Sequence, residues 1–154
     1  AVGLYFQIDP EVISEKLSAY KVDIMRSQIV RTSFNEIILD AYNANPTSMK
    51  KALEDFLSLP KKNKTVILGE MLELGTQTHE EHEHFLRFLS TQSLHHVFLI
   101  GKAFYEFKDY YPSFHFFQNT TEMINYLQNN PLKNQFIFIK GSRGNKLEQL
   151  IPWL

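Results

Sequence analysis

Asp40 ends a short apolar run, and Asn43, Asn45 and Pro46 follow before a helical pattern begins. A strand that delivers polar groups onto a helix N-terminus joins two kinds of recognition chemistry. The carboxylate accepts hydrogen bonds from sugar hydroxyls, while the unpaired N–H groups and partial positive charge of the helix start suit an anion. The same residues also make an ordinary capped turn: Asn45 caps the free amides, and Pro46 fits the first turn, where its missing N–H costs nothing. Spacing alone leaves both readings open.

A second cluster is Lys140-Gly141-Ser142-Arg143-Gly144. Lys140 and Arg143 flank a Gly-Ser turn whose amides can form an anion-binding nest at the start of a further helix. It is either a phosphate or carboxylate clamp or a solvated basic turn. It is not a P-loop, since G-x-x-x-x-G-K-[ST] occurs nowhere in the chain. A third cluster, Gly69 to Gly75, places Glu70 and Glu73 between two glycines. Glu70, directly after a strand end, could orient a substrate amine or a basic partner; Glu73 could do so or be solvated. Thr78 with Glu81 reads as a capping box opening the next helix. The histidine-rich run at 79–84 does not read as zinc: His79, His82 and His84 are spaced by three and two, not the four that would put two rings on one helical face. It reads as a solvated, charged face. His95 and His96 form no ligand pattern.

The elements that must position these clusters follow from hydrophobic periodicity. Apolar runs of strand length recur at 37–39, 65–68, 97–100, 114–117 and 136–139, continuous rather than alternating, as strands buried on both faces require. Helical spacing relates Met49, Leu53, Phe56 and Leu57, then Phe85, Leu86, Phe88 and Leu89, then Met123, Ile124 and Leu127. Strand–helix alternation predicts an α/β fold, a mostly parallel sheet with helices on both faces. Ligands bind such sheets beyond the carboxyl ends of the strands, where all three clusters lie. Residues 28–40 read as a hairpin turning near Phe34 and Asn35, adding an antiparallel edge strand, and Asp9-Pro10 opens a short helix.

With 154 residues, the chain is long enough for one domain with a substantial core. Its 16 basic and 17 acidic residues leave no net field for nucleic acid or a membrane surface. No apolar run approaches the ~20 residues that span a bilayer, and no signal peptide is evident. The absence of cysteine excludes a disulfide scaffold and fits a cytoplasmic setting.

Taken together and in this order, "DAYNANPTS", "GEMLELG" and "KGSRG" resemble the C-terminal domain of the Mur ligases, in particular the branch that adds D-alanyl-D-alanine. Sister enzymes carry a histidine in the first motif, where this chain has Asn43 and Asn45. The resemblance spans essentially the whole chain and implies a Rossmann-like, three-layer domain over 21–154. Residues 1–20 are then the tail of a preceding central ATPase domain and its linker. It also implies an ATP- and Mg2+-dependent ligase in which ATP phosphorylates the carboxylate of a UDP-muramoyl-tripeptide and the amine of D-alanyl-D-alanine attacks the acyl phosphate. Partners would be those substrates and the protein's own N-terminal and central domains, with magnesium and most of the ATP held by the latter. No catalytic residue is then expected in this domain alone. By the same resemblance Arg26, Asp40, Tyr42, Asn43, Asn45 and Ser48 face the nucleotide, and Glu70, Glu73, Lys140, Ser142 and Arg143 receive the dipeptide. A sister ligase and a stand-alone nucleotide- or anion-binding module remain the alternatives.

Overall fold

The computed structural model describes residues 2–19 and 27–154. Two short helices, α1 (Val2–Tyr5) and α2 (Pro10–Ala19), come first. Asp9 accepts a hydrogen bond from Glu11 N–H, so the Asp9-Pro10 helix start forms as its residue types dictate. The chain then runs β1 (Gln28–Arg31), β2 (Glu36–Asp40), α3 (Pro46–Ser58), β3 (Lys64–Gly69), α4 (Thr78–Ser90) and β4 (His96–Ile100). It continues through α5 (Lys102–Tyr105), β5 (His115–Phe117), α6 (Thr120–Asn129) and β6 (Phe136–Lys140), and ends in 3-10 turns at Arg143–Asn145 and Leu147–Trp153.

The six strands form one sheet in the order β1-β2-β6-β3-β4-β5. β1 pairs with β2 antiparallel at the edge, and every other pair is parallel. The continuous apolar runs are divided residue by residue between two cores. Val66, Leu68, Val97, Leu99, Phe136 and Phe138 meet α3, α4 and α5 on one face. Ile37, Leu39, Ile67, Phe98, Ile137 and Ile139 meet α6 and the C-terminal 3-10 segment on the other. A strand covered on both sides has no polar face to show, which is why alternation was absent from the sequence.

One connection decides where a site can lie. After β5 the chain returns across the sheet through α6 to place β6 between β2 and β3. The segments leaving β2 and β3 run to helices on one face, while the segment leaving β6 runs to the other. A crevice opens at the carboxyl ends of strands where the chain diverges in this way. The three polar clusters end β2, β6 and β3, and are therefore neighbours.

Two local expectations are corrected. Thr78 does not cap α4: a 3-10 turn at Gly75–Gln77 runs directly into the helix, and the Thr78 hydroxyl donates to Gly75 O at 2.7 Å, so the Thr78–Glu81 capping box does not form. The loop after β6 also leads into 3-10 turns rather than an α-helix, with Lys146 at φ 53° separating them.

Candidate functional site

Lys140 and Asp40 are direct partners in the β2–β6 ladder. Their side chains close a 2.6 Å ion pair, and the Lys140 ammonium also donates to Asn43 O at 3.1 Å. Lys140 is 3% exposed. A buried ammonium requires a counter-charge and hydrogen-bond acceptors, and both come from the β2–α3 segment. Lys140 therefore links the two loops internally, whereas Arg143 of its loop is exposed, with its guanidinium 5.8 Å from the centre of the Tyr42 ring.

Asn45 caps α3 as its position predicts. Its side-chain oxygen accepts from Ser48 N–H at 2.8 Å, and the Ser48 hydroxyl meets Asn45 N–H at 3.2 Å, so the two form a reciprocal capping box. Asn43 turns its side chain onto the following amide, Ala44 N–H, at 2.9 Å. The capped turn and the polar strand end thus coexist.

The loop after β3 is anchored residue by residue. Glu70 N–H donates to Ile100 O at 2.8 Å, and its carboxylate accepts from Ala103 N–H at 2.9 Å, at the start of α5. Leu72 N–H donates to the Ser142 hydroxyl at 3.1 Å, joining this loop to the one after β6. Gly69 is required by the same approach: a Cβ there would lie 2.6 Å from Asn145 Oδ1. Glu73 sits exposed at the tip in left-handed conformation, φ 69°. Of the two carboxylates, Glu70 is thus engaged on α5 and Glu73 faces outward.

Asp40, Tyr42, Asn43, Asn45, Ser48, Glu70, Glu73, Lys140, Ser142 and Arg143 accordingly gather along the ends of three adjacent strands. Arg26 lies outside the described residues. Among the described residues, no group of three or more His, Asp or Glu side chains could hold a metal ion, and no helix is long and apolar enough to cross a membrane.

His82 departs from the expectation of a solvated run. It is fully buried; its Nε2 accepts from Met71 N–H at 3.0 Å and its Nδ1 meets Thr78 O at 2.6 Å. His79 and His84 are exposed. The signal was present in the spacing, because His82, Phe85, Leu86 and Leu89 form the i, i+3, i+4, i+7 stripe that α4 buries.

Comparison with known proteins agrees with this arrangement. The family model described as "Mur ligase, glutamate ligase domain" matches residues 25–143. The chain is 34% identical over 148 residues to the UDP-N-acetylmuramoyl-tripeptide–D-alanyl-D-alanine ligase of Rickettsia prowazekii, covering 94% of this chain and 33% of that protein. It is 35% identical over 161 residues to the Bacillus subtilis ligase of the same name, covering 98% of this chain and 35% of that one. A crystal structure of MurF from Acinetobacter baumannii superposes with TM-score 0.81 at 27% identity, over 97% of this chain and 34% of that chain. The chain spans about a third of the length of the curated relatives it matches. By this match and by its fold, the chain belongs to the Mur ligase family, as its glutamate ligase domain.

Proposed function

We propose that this chain is the C-terminal domain of an ATP-dependent amide ligase that joins D-alanyl-D-alanine to a UDP-N-acetylmuramoyl-tripeptide in making a peptidoglycan precursor in the cytoplasm. The observation that carries the reading is the junction of three loops at the carboxyl ends of β2, β6 and β3, with Arg143 exposed at its rim. The relatives named for this reaction match nearly the whole chain.

The residues present fit a nucleotide on the β2 side. Asp40 engages Lys140 through Oδ2, leaving Oδ1 to accept from a ribose hydroxyl. Tyr42, Asn43, Asn45 and Ser48 follow it to the N-terminus of α3, whose partial positive charge favours phosphate. Arg26 belongs to the same assignment. When bound, ATP supplies the phosphoryl group that activates the tripeptide carboxylate. On the β6 side, Arg143 offers a planar guanidinium for the dipeptide's free carboxylate, with Ser142 and the 70–75 loop, including Glu70 and Glu73, forming the adjoining wall. Lys140 acts through Asp40 and Asn43, holding the nucleotide and dipeptide sides in register.

Residues 1–20 fall to a preceding domain in this reading: Val2, Tyr5, Phe6 and Leu17 are 73%, 82%, 68% and 71% exposed, an apolar surface such a domain would cover. That domain would also hold magnesium and most of the ATP, so the isolated chain is expected to fold without catalysing ligation. Closure of this edge over the missing part of the site would exclude water from an acyl phosphate and orient the attacking amine.

The test is phosphate release by the full-length protein with UDP-muramoyl-tripeptide, ATP, magnesium and D-alanyl-D-alanine. Arg143→Ala is expected to raise the KM for the dipeptide and leave that for ATP unchanged, while Asp40→Asn raises the KM for ATP. Failure of the wild type to ligate these substrates would overturn the reading.

A further inference from the structure

β3 ends at Gly69, and the last acceptor its neighbour β4 supplies is Ile100 O, taken by Glu70 N–H at 2.8 Å. Met71 is 1% exposed, so its N–H would be a buried orphan without a replacement partner. That partner is His82 Nε2, at 3.0 Å from Met71 N. The tautomer follows from the partners: Thr78 O can only accept, so Nδ1 carries the proton, and Met71 N–H can only donate, so Nε2 presents its lone pair. The ring is fully buried and meets Phe104 edge-on, with centroids 4.6 Å apart at 77°. Burial pushes its pKa below the ordinary histidine value, against the pull of Thr78 O and the Glu70, Glu106 and Glu81 carboxylates. The neutral, fixed imidazole that the geometry demands is the form present near neutral pH.

The next amide, Leu72 N–H, goes to Ser142. The histidine, on α4, and the serine, in the loop after β6, thus hold consecutive amides of one loop. We propose that His82 is a positioning residue of the ligation site, whose Nε2 sets the height of the 70–75 loop so that Leu72 meets Ser142 beside Arg143. The inference rests on reading this edge as the place that receives the dipeptide. His82 touches neither substrate; it acts through Met71.

The experiment uses the full-length protein with His82→Leu and His82→Gln, whose amide oxygen can occupy the place of Nε2. Hydrogen exchange over residues 69–75 and steady-state kinetics are the readouts. His82→Leu is expected to accelerate exchange in this segment and raise the KM for D-alanyl-D-alanine about tenfold, the scale of one lost hydrogen bond. The KM for ATP should stay unchanged, and His82→Gln should restore both properties. Unchanged exchange in His82→Leu overturns the inference. If exchange accelerates while the dipeptide KM stays constant, Arg143→Ala separates the causes. A raised KM in Arg143→Ala then condemns the role of His82, whereas an unchanged one condemns the assignment of this edge to the dipeptide. Should neither histidine variant fold, the nitrogen spectrum of wild-type protein labelled at histidine decides: a protonated Nε2 at neutral pH overturns the inference, and a bare Nε2 with protonated Nδ1 supports it.

Discussion

The ammonium of Lys140 lies 2.6 Å from Oδ2 of Asp40, closing an ion pair between residues 100 apart in the chain and adjacent across two parallel strands. Removing one partner leaves the other charge buried without compensation, a change that costs about 3 kcal/mol or more. Asp40→Ala and Lys140→Met should each show that loss in urea unfolding of the chain. Replacing both together, Asp40→Leu with Lys140→Met, should recover most of it. Equal loss in the double variant would mean that Asp40 and Lys140 stabilise the fold through other contacts.

Asn45 separates capping from recognition. Asn45→Ala removes the acceptor for Ser48 N–H and should cost about 1 kcal/mol of stability. Asn45→Asp keeps a capping oxygen and should retain that stability, while its negative charge weakens ATP binding by the full-length protein. Thermal unfolding beside nucleotide titration checks both parts; tighter ATP binding by Asn45→Asp would remove this residue from the nucleotide assignment.

Gly101 holds φ at 120°, and a Cβ there would lie 2.5 Å from the Glu70 carboxyl carbon. Gly101→Ala therefore combines backbone strain with displacement of Glu70 from Ala103 N–H. A loss of roughly 1–3 kcal/mol is expected. A melting temperature equal to wild type would show that the β4–α5 turn relaxes freely.

Mild acid should weaken the fold through its histidines. Burial lowers the pKa of His82; burial, then the charges of His95 and His115, lowers that of His96; and burial lowers that of His115. Below the ordinary histidine value of about 6.5, the unfolded chain takes up protons that the native rings refuse, so stability falls with pH until the lowered native values are passed. Glu36 adds a second loss at lower pH, since its hydrogen bond to Lys61 lowers its pKa and that contribution disappears as the carboxylate protonates. Urea midpoints measured downward from pH 7.5 should decline through pH 6. A flat profile across that interval would show that the three imidazoles titrate alike in both states.

Much of this architecture was legible in the chain because burial writes itself into residue order. Strands covered on both faces must be apolar throughout, so β2, β3, β4 and β6 were visible as uninterrupted runs. The edge hairpin and the Asn45 cap were equally local, decided by residues within a few positions of one another. The three motifs that carry the family resemblance were legible for the same reason: each is a short contiguous stretch. The Thr78–Glu81 pattern was local too, yet misleading, because the preceding 3-10 turn had already taken up the helix start.

Pairings over long sequence distance were decided only by the tertiary structure. Lys140 read as a cation available to a ligand, but insertion of β6 between β2 and β3 sets it against Asp40 and makes it internal. Glu70 read as facing a substrate, yet the neighbouring strand brings α5 to its carboxylate. His82 read as solvated because it stands among charged residues, while the side of α4 that meets the sheet decides its burial. The physical reason is common to all three. Residue type states which partners a side chain can satisfy, and strand order determines which of those partners arrive.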